Sequence, residues 1–238
     1  MTTITPESFY IGWDVGGWNC DRNKESRDAI VILDLNLDVV GDPWRGNLRV
    51  DINKATTAEE WLSILFQRCK TVVPDGPKSV TMAIDTPLGF SEEFVSLVTK
   101  GMHAGDLDTT SGTNPYLFRY TERYLYQNGL RPLSAIKDMI GSQATKGMHV
   151  LAKFAPTLES CGVWTDGMGF RAIEAYPAAC RESGVMKNLL QNCDLLKDDD
   201  RNDARVCAMI AHLFATDREQ LVSPPVDVPV NEGWIWIP

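Results

Sequence analysis

The sequence has six cysteines but lacks any Cys-x-x-Cys pair, and its three histidines share no spacing typical of metal ligands. These absences argue against zinc sites built from thiolates and against thioredoxin-like redox sites. Scattered cysteines of this kind are typical of reduced thiols that pack as small apolar side chains.

Long apolar runs are also missing. No stretch approaches the roughly 18 apolar residues that a membrane-spanning helix needs, and the first residues lack the basic start, apolar run and cleavage site of a signal peptide. We therefore expect no membrane segment and a cytoplasmic protein.

Basic charge is scarce overall. The chain has 23 Lys and Arg against 32 Asp and Glu, a net charge of −9, which disfavours broad non-specific attraction to nucleic acid. Residues 114–153 are the exception, with a local net charge of +4, and we expect this basic segment to be the part that meets a nucleic acid partner. Its basic residues are Arg119, Arg123, Arg131, Lys137, Lys146 and Lys153.

The composition and the pattern of apolar residues indicate an α/β domain. With 44% hydrophobic and 23% charged residues, the composition is that of a globular protein. Residues 9–13, 29–33 and 48–52 have strand patterns and predict three antiparallel strands. Helical spacing over 57–70, followed by an apolar strand over 79–85, predicts a crossover to a fourth, parallel strand.

The second half is predicted to be a helical insertion followed by a return to the sheet. Residues 91–170 are mainly helical in pattern, 170–176 resume a strand pattern, and 201–216 read as an apolar helix. The closing NEGWIWIP is expected to be a strand or a packed segment. We predict one domain over 1–238, with a helical insertion at about 91–170 between the fourth and fifth strands.

Four aspartates lie at positions that such a fold would bring close together. Asp14 and Asp85 each end an apolar strand before a turn, and the carboxyl ends of strands are where open α/β sheets bind ligands. Asp200 and Asp203 lie three residues apart at the start of a helix, so they share a face. Clustered carboxylates repel each other, and a divalent cation with oxygen ligands is the usual compensation. We predict that Asp14, Asp85, Asp200 and Asp203 bind Mg²⁺ or Mn²⁺.

Three further residues complete the predicted site. Glu174 lies on an otherwise apolar strand, so a buried carboxylate there needs a metal, an arginine or a helix end as its partner. Arg119 is a candidate for that partner. We assign Asp14, Asp85, Asp203 and Glu174 as catalytic candidates, and Arg119 and Lys146 as phosphate-binding candidates.

These motifs together resemble a known family. Asp14 on a first strand, AIDTPLG, IEAYP, the Asp200–Ala204 helix start and EGWIWIP are similar to the domain of unknown function 429 family, whose members are predicted nucleases of ribonuclease-H-like fold. More distantly, Asp14, Asp85 and the Asp-x-x-Asp-Ala spacing resemble RuvC-type Holliday-junction resolvases. The resemblance implies a ribonuclease-H-like mixed sheet flanked by helices and a two-metal nuclease site. Such resolvases carry Glu on the fourth strand, where this chain has the shorter Asp85.

Two other classes of function fit parts of the sequence. IGWDVGGWN also resembles the phosphate-binding turn of sugar kinases and actin-like ATPases, which implies a nucleotide-binding phosphotransferase. That class predicts a second glycine-rich turn, which AIDTPLG and IEAYP do not supply. A non-catalytic binding module, in which the acidic cluster holds a structural cation, is the third alternative.

Overall fold

A computed structural model describes residues 7–76, 78–108 and 111–238; residues 109–110 of the predicted insertion and the first six residues lie outside it. The described residues form eight strands: β1 (Glu7–Asp14), β2 (Asp28–Leu33), β3 (Trp44–Gly46), β4 (Lys78–Asp85), β5 (Thr157–Ser160), β6 (Val163–Thr165), β7 (Phe170–Ala175) and β8 (Ile235–Trp236). They also form eight α-helices: α1 (Arg49–Lys54), α2 (Ala58–Arg68), α3 (Glu92–Lys100), α4 (Tyr120–Gln127), α5 (Gly141–Phe154), α6 (Pro177–Cys180), α7 (Gly184–Leu190) and α8 (Asp199–Thr216). Every helix in these ranges is too short or too polar to cross a membrane.

All eight strands belong to one mixed sheet, in the order β3-β2-β1-β4-β7-β6-β5, with β8 paired to β7. Strand β2 is antiparallel to both β1 and β3, whereas β4 is parallel to β1, and β7 is parallel to β4 and β8. The carboxyl ends of β1, β4 and β7 therefore meet at one edge of the sheet. The predicted α/β class, with a mixed sheet flanked by helices, is confirmed.

Each face of the sheet is covered by its own apolar core. Helix α8 packs with the C-terminal segment on one face, where Ala83, Ala204 and Trp236 are buried. Helices α2 and α5 cover the other face, where Trp13, Trp61 and Phe154 are buried and the rings of Trp61 and Phe154 stack at 5.3 Å. The sheet is thus the middle layer of three, which is a standard arrangement for an α/β domain.

Most predicted elements are present, but the third strand was placed wrongly. Residues 48–52 were expected to be a strand, whereas β3 comes earlier and 49–54 form α1. Leu48 and Ile52 are both buried, and their spacing of four suits a helix face. Asp51, which alternation would have placed in solvent, is buried and bonded to Arg68 at 2.8 and 2.9 Å.

The predicted insertion is only partly helical. Helices α3, α4 and α5 lie within it, but its last part forms β5 and β6, which extend the sheet beyond β7. The tail forms β8, and its side chains Trp234 and Trp236 are buried, as expected of a packed closing strand.

Helix α8 reaches the sheet unusually closely at Gly12 of β1. A Cβ atom at Gly12 would lie 1.7 Å from the carbonyl oxygen of Ala204 and 2.4 Å from the amide nitrogen of Ala208. Only glycine fits there, because any side chain would collide with the backbone of the helix. This contact brings the start of α8, and with it Asp203, to the end of β1 that carries Asp14.

We predict that Gly12→Ala lowers the free energy of unfolding by about 3 kcal/mol, because α8 must move off the sheet to admit a methyl group. Urea denaturation monitored by circular dichroism measures this change. Gly184→Ala is the matched control, since a Cβ atom at this first residue of α7 meets nothing within 4 Å. Equal stability of the two variants would contradict the close approach.

Candidate functional site

Asp14 and Asp85 lie side by side at the carboxyl edge of the sheet. They are register partners on the parallel strands β1 and β4, so their backbones are about 4.8 Å apart and their side chains leave the same face. A cleft of about 370 Å³ opens over them and is also lined by Asp203 and Glu174. All four residues predicted as catalytic thus line one cleft.

The remainder of the cleft wall is largely apolar. Leu133 and Ile140 come from the predicted insertion, and Tyr176 follows β7. The hydroxyl of Tyr176 donates to the carbonyl oxygen of Arg131 at 2.7 Å, which fixes the ring. Thr86, next to Asp85, has a buried hydroxyl that finds no hydrogen-bond partner among the described residues.

The carboxylates of Asp14 and Asp85 have no cationic partner and no hydrogen-bond donor within the described part of the chain. Burial raises the pKa of Asp14 well above its usual range, and the charges of Asp85 and Asp200 raise it further. Burial also raises the pKa of Asp85 to about 8, with added effects from the charges of Asp203 and Glu174. Two adjacent carboxylates without compensation favour the uptake of protons or of a cation.

Asp203 has a partner that the sequence analysis missed. Its carboxylate accepts a hydrogen bond from Nη2 of Arg181, which follows α6 at the same edge of the sheet. Burial raises the pKa of Asp203, and the charge of Arg181 opposes this effect. The sequence offered one signal for Arg181, since it lies one helical turn after the strand motif IEAYP.

Asp200 lies outside the cleft, contrary to its predicted role as a metal ligand. Its carboxylate accepts hydrogen bonds from Nε of Arg45 at 2.5 Å and from the backbone amide of Arg27 at 3.0 Å. Asp200 and Asp203 do share the start of α8, but Asp200 faces β3, where an arginine already neutralises it. It therefore connects α8 to the sheet rather than serving the cleft.

Glu174 is paired with an arginine, which was one of the alternatives for this residue. It is in register with Ile84 on β4, so its side chain leaves the face opposite to that of Asp85. There Glu174 accepts hydrogen bonds from Arg119 at 2.6 and 2.9 Å and from the amide of Leu88 at 2.9 Å. Its carboxylate is thus fully engaged, and the structure does not support Glu174 as a metal ligand.

Arg119 was predicted to bind phosphate, but its guanidinium is buried and all five of its N–H groups are engaged. Two are directed at Glu174, and Nε and Nη2 each contact Glu122, at 2.8 and 2.6 Å. The fifth donates to the carbonyl oxygen of Glu232 at 2.9 Å. This cluster joins α4, β7 and the C-terminal segment.

Lys146 was the other predicted phosphate ligand, and it too is buried. Its ammonium group lies 2.5 Å from the carboxylate of Asp28, which is itself fully buried. Burial raises the pKa of Asp28, while the charge of Lys146 opposes that shift. Asp28 accepts further bonds from the amides of Gly16 and Leu48, at 2.9 and 2.7 Å. Lys146 therefore fastens α5 to β2 and faces away from solvent.

The glycine turn after β1 is occupied by the protein's own groups. The amide of Gly16 donates to Asp28, and the amide of Trp18 donates to the hydroxyl of Ser142 at 3.0 Å. A phosphate-binding turn needs such amides to be free. The structure therefore does not favour a phosphotransferase that binds nucleotide at this turn.

No family model, curated protein or solved structure matches this chain. The family resemblance therefore stays a prediction, and the function has to be argued from the geometry of the cleft.

We predict that Arg119→Met lowers the free energy of unfolding by about 3 to 5 kcal/mol, because Glu122 and Glu174 would be left buried without a counter-ion. Chemical denaturation tests this. The control is Arg171→Met, which breaks the half-exposed pair with Glu159 and should cost at most about 1 kcal/mol. A small effect of Arg119→Met would contradict the structural role given to this arginine.

Asp85 should make stability depend on pH. A carboxyl whose pKa is about 8 when folded and 3.8 when unfolded keeps its proton in the folded state, so stability falls as the pH rises between these values. Asp85→Asn removes that cost. We expect its free energy of unfolding, relative to the unmodified protein, to rise by about 1 kcal/mol or more from pH 5 to pH 8.5. A pH-independent difference in urea titrations would refute this.

Proposed function

We propose that this chain is a divalent-metal-dependent phosphodiesterase of ribonuclease-H-like fold, a nuclease whose cation is held by Asp14, Asp85 and Asp203. The observation that carries the proposal is the register pair Asp14 and Asp85, which lie together in a cleft and form no ion pair with any described residue. Their raised pKa values agree with a site built to be neutralised by something that it binds.

The order of strands supports the finer description of the fold. Three antiparallel strands, a crossover through helices and a fourth strand parallel to the first are what the ribonuclease-H-like prediction requires. Strand β7 then follows the insertion and pairs in parallel with β4, as expected of the fifth strand. The additional strands β5, β6 and β8 are departures from the simple predicted pattern.

The chemistry of the donors fits Mg²⁺ or Mn²⁺, although the ligand set is incomplete. Among residues 7–76, 78–108 and 111–238, no three His, Cys, Asp or Glu side chains are arranged to hold a metal ion. Asp14 and Asp85 supply two carboxylates that are free to bind, whereas Asp203 is held by Arg181. A hard cation prefers such oxygen ligands and can keep several waters when the protein supplies few.

A divalent cation, when bound, activates water and stabilises the leaving oxygen in the hydrolysis of a phosphodiester. Asp14 and Asp85 would hold it at the floor of the cleft, and Asp203 is the third ligand of the predicted set. Leu133 and Ile140 form an apolar part of the cleft wall beside these carboxylates. No other general base is required of the chain.

Several basic residues of segment 114–153 are engaged within the protein and are not available to contact nucleic acid. Arg119 and Lys146 are buried in ion pairs, Lys137 pairs with Asp138 at 3.1 Å, and Lys153 donates to the carbonyl oxygen of Ile52 at 2.7 Å. The local net charge of this segment therefore overstates its exposed positive charge. We propose that substrate affinity comes mainly from the cleft. Cleavage assays on DNA and RNA are needed to identify the substrate.

The test is calorimetric titration of Mn²⁺ into the metal-free protein and its Asp14→Asn and Asp85→Asn variants. We expect each variant to bind Mn²⁺ at least about tenfold more weakly. A parallel assay follows cleavage of labelled single-stranded, duplex and branched DNA and RNA with Mg²⁺ or Mn²⁺, which either variant should slow by roughly a hundredfold or more.

The matched control is Asp75→Asn, an exposed aspartate before β4 at the opposite edge of the sheet. It should leave both binding and cleavage unchanged. Metal binding at the cluster without cleavage would favour the non-catalytic binding module, and the absence of both would refute the proposal.

A further inference from the structure

Arg181 holds a position that no predicted phosphate ligand reaches. It follows α6, which begins directly after β7, so it lies at the carboxyl edge of the sheet beside the cleft. Its guanidinium donates to the carboxylate of Asp203, and the exposed fractions of the two side chains are 39% and 28%. The pair is therefore in contact with solvent and able to open without disturbing the core.

Arg181 is also the cation whose charge acts on the cluster. Its guanidinium forms the ion pair with Asp203, and no other salt bridge among the described residues involves Asp14, Asp85 or Asp203. The neighbouring arginines are committed elsewhere, Arg45 to Asp200 and Arg119 to Glu174. Within the described residues, Arg181 is thus the counter-ion of the cleft.

We propose that Arg181 is an exchangeable counter-ion, which neutralises Asp203 in the metal-free protein, yields it to the divalent cation and then binds a phosphate group of the substrate. This inference rests on the proposed function. It assigns to Arg181 the phosphate-binding role that the sequence gave to Arg119 and Lys146, both of which are buried.

The exchange is physically reasonable for three reasons. A half-exposed ion pair is only weakly stabilising, so a divalent cation shared with Asp14 and Asp85 can displace the guanidinium. The same planar fork that binds a carboxylate also binds a phosphate. With Arg181 displaced, Asp203 would be a third available carboxylate in the cleft that Asp14 and Asp85 also line.

The test compares the unmodified protein with Arg181→Gln and Arg181→Lys, using two probes. Mn²⁺ is titrated alone by calorimetry, and deoxythymidine monophosphate is then titrated in the presence of Ca²⁺. For Arg181→Gln we expect roughly tenfold tighter Mn²⁺ binding, because a positive charge beside the site is removed. We expect roughly tenfold weaker nucleotide binding, because the phosphate loses its guanidinium. In both titrations, the affinity of Arg181→Lys should lie between that of the unmodified protein and that of Arg181→Gln.

The two affinities are expected to change in opposite directions. This distinguishes the proposed role from a structural one, since a damaged cleft would weaken the binding of both ligands. Arg171→Gln is the matched control, because Arg171 forms a similarly exposed pair with Glu159 and should change neither affinity. Mn²⁺ affinity that is unchanged or lower in Arg181→Gln overturns the inference alone. Failure of the unmodified protein to bind Mn²⁺ overturns the proposed function, and this inference with it.

Discussion

The contact between α8 and β1 at Gly12 is the constraint on which the site depends. The side chains that α8 turns to the sheet are small, with Ala204 and Ala208 meeting a glycine, so the helix lies against the backbone of the strand. Asp203 precedes Ala204, and Asp14 follows Gly12 by two residues on the same face. The same close approach that buries this layer therefore forces two carboxylates together, and Asp85 joins them because β4 is in register with β1.

The distribution of counter-ions explains why this cluster stands apart from the other buried charges. Within the core, Asp28 is paired with Lys146 through one hydrogen bond, and Glu174 is paired with Arg119 through two. Those pairs connect helices to the sheet, and a buried pair is costly to break because one charge is left uncompensated. Asp14 and Asp85 have no such partner among the described residues, although burial raises the free energy of their charged forms. Buried carboxylates without a counter-ion are typical of a site that binds a ligand.

The sequence predicted the regular parts of the molecule and the identity of the central carboxylates. Apolar strands that end in Asp14 and Asp85 were recognisable because period and turn residues are local properties. The buried side chains Asp51 and Lys146 misled the prediction, because polar residues are ordinarily taken as exposed and their ion-pair partners are distant in sequence. The strand predicted over 48–52 was wrong for this reason, and so was the phosphate-binding role predicted for Lys146. Arg119 shows the converse case, since a carboxylate on an apolar strand required a cation and the chain offered this one.

The position of Arg181 one helical turn after IEAYP was too weak a signal to assign it to the site, because its role depends on which partners the neighbouring cations bind. Arginine is common after a short helix, where a cation is favourable in any protein. It becomes informative only once Arg45, Arg119 and Lys146 are seen to be engaged elsewhere. The proposed nuclease function cannot rely on long-range attraction between this acidic protein and a polyanion, so it requires affinity for phosphate to be created at short range inside the cleft. In that proposal, a divalent cation on Asp14 and Asp85, with the guanidinium of Arg181 released beside it, would supply this attraction within the cleft.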